Sequence, residues 1–427
     1  MHWLRLPMAA HSILTILLVI VAASDSAATE KVLYSFTGGA DGAFPNGLVS
    51  DAAGNLYGTA NGRGGADCGF YGCGTAFELS PQANGTWNEM TLYSFQGGPD
   101  GANPASSLIF DNHGNLYGTT QGGGSSSCSC GTVFELSPNA DGTWSEAVLY
   151  SFKGGSDGAN PVAGLVFGSA GDLFGTTADG GANVCDLQQN CGTVFELSPV
   201  GDGKWAETVL YTFSQSSGDH PESSLIIDPR GNLYGTTSAD GLVSGCCGTA
   251  FELTLIGGHW QFSTIYVFQG GGEGSYPTAG LVLDDKGDLF GTLEGGGTEG
   301  GWGVVFKLRP GSGGLQQDML YIFCSHNKCP EGGRPSGIAS DNRGYFYGTT
   351  YYWGESDCGT VFRVAEPRLG WKETTLYAFE QGNGDGCEPT AGVTFGPDGN
   401  IYGTTSGGGA NTYYGTIFEI TLPARNP

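Results

Sequence analysis

Positive charge is scarce in this chain. Over 427 residues, 16 Lys and Arg stand against 42 Asp and Glu, a formal net charge of −26. Such a surface repels DNA, RNA and anionic lipid, so no nucleic-acid partner is expected. Long apolar runs are missing after Ala23, and no later segment carries a sustained helical period. Catalytic constellations are thin as well. Beyond the leader the histidines are His113, His220, His259 and His326, and no two share a metal-ligand spacing. No nucleophile flanked by glycines in the hydrolase manner occurs.

The N-terminus reads as a targeting segment. Arg5 supplies its positive charge, Ile13 to Ala23 its apolar core, and Ser26-Ala27-Ala28 the small residues before a cleavage site. Cleavage is expected after Ala28, leaving residues 29–427 as one domain with no membrane span. An uncleaved anchor is the competing reading. Thr421 to Pro427 show no anchoring signal. Export, to the cell surface, the periplasm or the medium, makes the twelve cysteines readable as disulfides.

What the chain has in abundance is repetition. Leu33-Tyr34-Ser35-Phe36 returns at Leu92–Phe95, Leu149–Phe152, Leu210–Phe213, Ile265–Phe268, Leu320–Phe323 and Leu376–Phe379. Versions of Gly-Asn-Leu-Tyr-Gly-Thr-Thr and Gly-Thr-Val-Phe-Glu-Leu lie between successive copies, and the period is about 57 residues. Each unit holds four candidate strands. In the second they are Ser107–Phe110, Asn115–Thr119, Gly131–Leu136 and Ala147–Phe152. Asp-x-x-Gly-Asn turns (Asp51–Asn55, Asp111–Asn115, Asp228–Asn232) join the first two.

Seven such units predict an all-β, seven-bladed propeller with four antiparallel strands per blade. Small residues at Gly47, Ser107, Gly164, Ser224, Gly280, Gly337 and Gly392 suit an innermost strand converging on an axis. The chain begins with a fourth-type strand, Val32–Phe36, and finishes with a third-type strand, Gly415–Ile420. The first strand is therefore expected to complete the last blade and close the ring. An open β-solenoid, the alternative, gives the two ends no reason to be complementary.

The three repeated phrases resemble the bacterial GloVer tandem-repeat family, whose members are described as choice-of-anchor proteins. The resemblance covers residues 32–420. It implies an exported, surface-associated repeat protein and brings no catalytic residues to carry over. A recognisable C-terminal anchor is not apparent in this chain. WD40, kelch and quinoprotein signatures are absent.

Candidate functional residues are those that depart from the repeat on the loop face. All twelve cysteines fall there. Local bridges Cys68–Cys73, Cys128–Cys130, Cys185–Cys191, Cys246–Cys247 and Cys324–Cys329, plus Cys358–Cys387, are the simplest pairing, with metal ligation the competitor. Cys246–Cys247 is either a strained ligand-binding floor or a filled repeat position. The residue before the third strand is Cys73, Cys130, Cys191, Cys247 or Cys358, but Trp302 and Tyr414 in two blades, so an aromatic and a disulfide are read as alternative fillings of one spot. Asp41, Asp100, Asp157, Glu273, Glu331 and Asp385 stand four residues before a proline. They form either a ring that binds a cation such as calcium or ordinary turns. Ser217 breaks the series, with Asp219 two residues on. Phe70, Tyr71, Trp302, Tyr351, Tyr352, Trp353, Tyr413 and Tyr414 offer stacking surfaces for a glycan or protein ligand. Trp87, Trp144, Trp205, Trp260 and Trp371 recur at the start of the fourth strand and are read as packing. The expected function is a monomeric extracellular binding module, with no cofactor unless calcium. A polysaccharide hydrolase or lyase using loop carboxylates, and a structural matrix protein, are the alternatives.

Overall fold

The second-strand phrase, an apolar pair followed by the small, uncharged Gly-Thr-Thr, suits burial on both faces, whereas the fourth strand alternates and needs only one. The computed structural model satisfies both demands. It describes residues 28–422 apart from 65–67, 69–71, 125–127, 184, 186–190, 240–246, 298–300, 312–313, 326–327, 367–369, 383 and 411–412. Phe70, Tyr71, Cys246, His326 and the leader up to Ala27 therefore lie outside the described residues. Second strands such as Leu173–Thr177 are buried throughout, and fourth strands such as Lys204–Thr212 alternate exposed and covered positions.

Among the described residues, seven antiparallel four-strand sheets form a seven-bladed propeller, and the one helical element is a 3-10 turn, Gly271–Glu273. In the third blade the order from the axis outward is Val166–Phe167, Leu173–Thr177, Thr193–Gly201 and Lys204–Thr212. The ring closes as the ends of the sequence suggest. Thr29–Ser35 pairs antiparallel with Thr416–Thr421, which excludes the open solenoid. Its register shifts between Val32 and Tyr34, as other fourth strands do at the same leucine position, for example between Val133 and Phe134 against Tyr150.

The repeated phrases are the inter-blade cement. The final Phe of each Leu-Tyr-Ser-Phe copy meets the third-strand Phe of the following blade edge-on. Phe36 meets Phe77 at 5.2 Å, Phe152 meets Phe195 at 5.1 Å and Phe379 meets Phe418 at 5.1 Å. All six rings are fully buried, a burial that stabilises by roughly 2–3 kcal/mol per ring. The second-strand glycine is required by the same ring. A Cβ on Gly175 would lie 2.5 Å from Phe195 Cζ. The first Thr reaches across to the next blade: Thr59 Oγ1 donates to the Ser106 carbonyl and Thr404 Oγ1 to that of Asn46. Seven apolar clusters result, one between each pair of blades. The fourth-strand tryptophans complete them. Trp144 packs on Tyr57, Trp87 on Tyr402, Trp260 on Phe174 and Trp371 on Phe290, while Trp205 joins the cluster of Tyr117.

Candidate functional site

Every blade is entered through a left-handed residue followed by proline. Phe44, Asn103, Asn160, His220, Tyr276, Arg334 and Glu388 have φ between 49° and 62°. A side chain in this region, and a proline after it, each disfavour the conformation, at roughly 1–3 kcal/mol per site. It is held by one repeated hydrogen bond. Each of these N–H groups donates to the carbonyl of the residue before the preceding blade's third strand: Asn160 to Cys130 at 2.9 Å, His220 to Cys191 at 3.2 Å, Glu388 to Cys358 at 2.9 Å. The cysteine position thus supplies backbone support as well as sulfur. The product is one projecting side chain per blade, of six chemical types over the seven blades, with asparagine used twice. Asn160 Nδ2 donates to Asp179, and Arg334 Nη2 to Glu294 Oε2 at 2.6 Å.

Two residues further on, Asn46, Ala105, Val162, Glu222, Thr278, Ser336 and Thr390 line a central cavity of about 450 Å³, which narrows at the small-residue ring. A Cβ on Gly47 would lie 2.1 Å from Ser107 Oγ and 3.7 Å from the Ala391 methyl. Glu222 is the one ionisable side chain among the lining residues. Burial pushes its carboxyl above the ordinary range; Ser238 and His220 oppose that, and Glu294 and Asp179 add to it. His220 sits between two carboxylates, Nε2 3.6 Å from Asp179 Oδ1 and Nδ1 3.4 Å from Asp219 Oδ1. Asp219 is almost fully buried at a position that is Ala, Ser, Gly or Cys in other blades, and it raises the imidazole above its usual value despite desolvation. The run Asp219-His220-Pro221-Glu222 is unique to the loop entering the fourth blade. It carries more ionisable groups than the corresponding run of any other blade. Comparison of the residues flanking each proline, rather than of the repeated phrases, is the sequence signal that finds it.

Next to this mouth the structure gathers four of the expected aromatics. Trp302 and Trp353 lie 4.3 Å apart and tilted, Tyr352 is 5.9 Å from Trp353, and Tyr351 is 4.3 Å from Tyr352. Gly333 lies against both residues: a Cβ there would be 2.8 Å from Cε3 of the Trp353 indole and 2.9 Å from the Trp302 Cβ. The Arg334 guanidinium lies over the Tyr351 and Tyr352 rings at 5.8 and 5.7 Å. The Tyr351 hydroxyl donates to Glu388 Oε2 at 3.3 Å, and burial with that carboxylate raises its pKa. Trp302 is 43 % exposed where five blades hold a buried cysteine, so it does not fill the repeat position as read from sequence. Tyr414 does. Its ring covers Gly38 as the Cys68–Cys73 sulfurs cover Gly97. Tyr413 is 72 % exposed and is not brought into the cluster.

The Gloeobacter/Verrucomicrobia repeat matches residues 19–183, 126–330 and 247–426 in overlapping segments that span the propeller. The chain belongs to that family. No curated protein matches it in sequence. Among solved structures, it is similar to a candidate 6-phosphogluconolactonase of Bacteroides uniformis, with TM-score 0.51 and 16 % identity over 82 % of this chain and 89 % of that one. A luciferin-regenerating enzyme matches with TM-score 0.42 and 12 % identity over 92 % and 95 %. A candidate glucose dehydrogenase of Thermus thermophilus matches with TM-score 0.43 and 18 % identity over 74 % and 96 %. The first likeness shows the fold alone.

In this Gloeobacter/Verrucomicrobia repeat protein the repeated loop carboxylates are committed to their own turns. Asp41 accepts from the Tyr34 hydroxyl at 3.0 Å and the Thr37 amide at 2.7 Å, Asp100 and Asp157 from Tyr93 and Tyr150 at 2.9 Å, and Asp385 from Tyr377 at 2.9 Å. Glu273 accepts from Tyr266 at 3.2 Å, and Glu331 from the Cys324 amide at 3.0 Å. In five of the seven copies, at Tyr34, Tyr93, Tyr150, Tyr266 and Tyr377, the tyrosine thereby ties the strand end to the loop. Among the described residues no three His, Cys, Asp or Glu side chains converge as metal ligands.

Five of these turns also face a second acid from the following blade, whereas the Glu273 turn meets Gln317, whose Nε2 donates to the Glu273 carbonyl at 2.8 Å. Glu89 faces Asp41, Glu146 faces Asp100, Glu207 faces Asp157, Glu373 faces Glu331 and Glu30 faces Asp385. Where Ser217 replaces the turn acid, the facing residue is Phe262, stacked on Tyr211 at 3.6 Å. The structure joins Cys68 to Cys73, Cys128 to Cys130, Cys185 to Cys191, Cys324 to Cys329 and Cys358 to Cys387. The expected partner of Cys247, Cys246, is outside the described residues. Among the described residues no helix is long and apolar enough to cross a membrane.

Proposed function

We propose that this protein is an exported glycan-binding module whose ligand lies across the junction of the fifth, sixth and seventh blades. The observation that carries the reading is Trp302, whose ring is left open to solvent against Trp353 instead of filling the packing position of its repeat. A rigid amphipathic ring gives contact area at low entropic cost, and an open pair of indoles suits the flat apolar faces of sugars. Arg334, Glu294 and Glu388 supply donors and acceptors for hydroxyl groups at the rim. The bridges bracing the surrounding loops, and the excess of acid over base, fit a disulfide-forming extracellular setting.

The test is retention of the mature protein on a panel of immobilised neutral and acidic polysaccharides, with the Trp302→Ala and Trp353→Ala variants in parallel. Retention by one class of polysaccharide, weakened at least tenfold in either variant at unchanged melting temperature, is expected. Retention that is indifferent to both indoles, or capture of proteins and of no glycan, overturns the reading.

A further inference from the structure

The aromatic cluster of Trp302, Trp353, Tyr352 and Tyr351 forms a shelf beside the mouth, and charged contacts join it to the central cavity. Thr278, on the cavity wall, donates to Glu294 Oε1 at 2.5 Å, and Glu294 Oε2 receives Arg334, whose guanidinium covers the shelf tyrosines. On the other flank Asp179 receives Asn160 and faces His220. Between these two held carboxylates stands Glu222, alone among ionisable side chains on the cavity wall. Thr278 and Glu222 both line the cavity, so Glu294 stands one hydrogen bond from the wall that holds Glu222.

We propose that this mouth hydrolyses the glycan that the shelf holds, with Glu222 as the proton donor and Glu294 as the charged group facing the sugar ring. The step rests on the glycan-binding reading and goes beyond it. Two carboxyl groups in contrasting surroundings are what glycoside cleavage requires. Glu222 is desolvated in the cavity, with Asp179 and Glu294 adding to the bias toward its protonated form. Glu294 is ion-paired to Arg334. The Glu222 carboxyl passes its proton to the glycosidic oxygen as the bond from that oxygen to the anomeric carbon breaks and leaves its electron pair on the oxygen. The positive charge that develops on the anomeric carbon faces Glu294. A water oxygen then forms the new bond to that carbon, and its proton passes to the Glu222 carboxylate. One glycoside and one water give a new reducing end and a new hydroxyl, with the acid regenerated. His220, fixed between Asp179 and Asp219, is a positioning residue, its charge tuning Glu222 rather than touching the reacting atoms.

The experiment uses the mature protein and the polysaccharides that it retains, with reducing ends counted over time. Release of reducing ends is expected. Glu222→Gln should lower it by roughly 10²–10⁴-fold while retention stays unchanged and the melting temperature does not fall. On an aryl glycoside whose leaving phenolate needs no proton, the same variant should lose far less. His220→Asn should shift the alkaline limb of the pH profile rather than abolish turnover. Retention without reducing ends overturns the inference and leaves glycan binding standing. A Glu222→Gln variant of unaltered rate overturns the assignment of the acid, and loss of retention on every polysaccharide overturns both readings.

Discussion

Lowering the pH from 7.5 to 5 should stabilise this protein, and the acid pairs at the blade junctions give the reason. Burial, with the facing turn carboxylate as the second cause, raises Glu30, Glu146 and Glu207 to about 7. Glu373 also reaches about 7, with Glu331 adding to the burial, and Glu89 is raised in the same sense. The Oε1 atoms of Glu30, Glu146 and Glu207 are buried without a hydrogen-bond partner. In the folded state these groups hold protons that the unfolded chain releases from about pH 4.5 upward. Their contribution is complete below that value and is lost as the pH climbs through about 7. A rise of about 2.5 units corresponds to ~3.4 kcal/mol per group for a fully shielded site. These side chains are only half-buried, so solvent screening brings the realistic figure to about 1 kcal/mol per junction.

Replacing Glu146 and Glu207 by Gln removes the ionisation and keeps the shape. The double variant should gain about 2 kcal/mol at pH 7.5 and nothing at pH 5, and its melting curve should depend less on pH than that of the natural protein. The assay is thermal unfolding followed by circular dichroism between pH 5 and 7.5. A melting temperature that falls on acidification across this window would refute the reasoning. So would a double variant that is destabilised equally at both ends. The junction that holds Phe262 and Ser217 is a built-in control. It has no acid pair, so a Phe262→Gln substitution there should destabilise at every pH, through loss of the Tyr211 stack.

Further expectations follow from the same geometry. Phe195→Ala empties a fully buried site between the second and third blades and should cost about 3–5 kcal/mol in chemical unfolding. Removing the Cys358–Cys387 bridge by a double Ser substitution opens a loop of 29 residues and should cost about 3 kcal/mol, whereas losing Cys128–Cys130, two residues apart, should cost much less. Gly175→Val should prevent folding, seen as loss of soluble protein, because its side chain would occupy the Phe195 ring.

The architecture was legible because the same physical problem recurs seven times. Leu-Tyr-Ser-Phe encodes a bulged outer strand, a turn anchor and an inter-blade ring, and a shared solution leaves a shared spelling. The small residues of the innermost strand, such as Gly47 and Ser107, were readable on the same ground. The mouth was less so. Its residues occupy the position before each proline, where Phe44, Asn160, His220 and Arg334 share a backbone conformation and no side-chain chemistry. Their left-handed φ is imposed by a hydrogen bond from the neighbouring blade, which leaves no local trace. Trp302 shows the converse. It stands at a conserved slot of the repeat, yet the Gly333 backbone and Trp353 draw it away from that slot. The acid pairs required reading two distant strands together, Glu207 against Asp157 and Phe262 against Ser217.

The strand that closes the ring is made first and used last. Thr29–Ser35 can find its partner only after Thr416–Thr421 exists, almost four hundred residues later. Until then the seventh blade lacks its outer strand and the first blade lacks Phe36 over Phe77. A chain that emerges N-terminus first therefore carries an unpaired edge throughout its synthesis. Assembly of the ring is complete only when Thr416–Thr421 has arrived, so the first and last strands of the propeller are tested in a single contact.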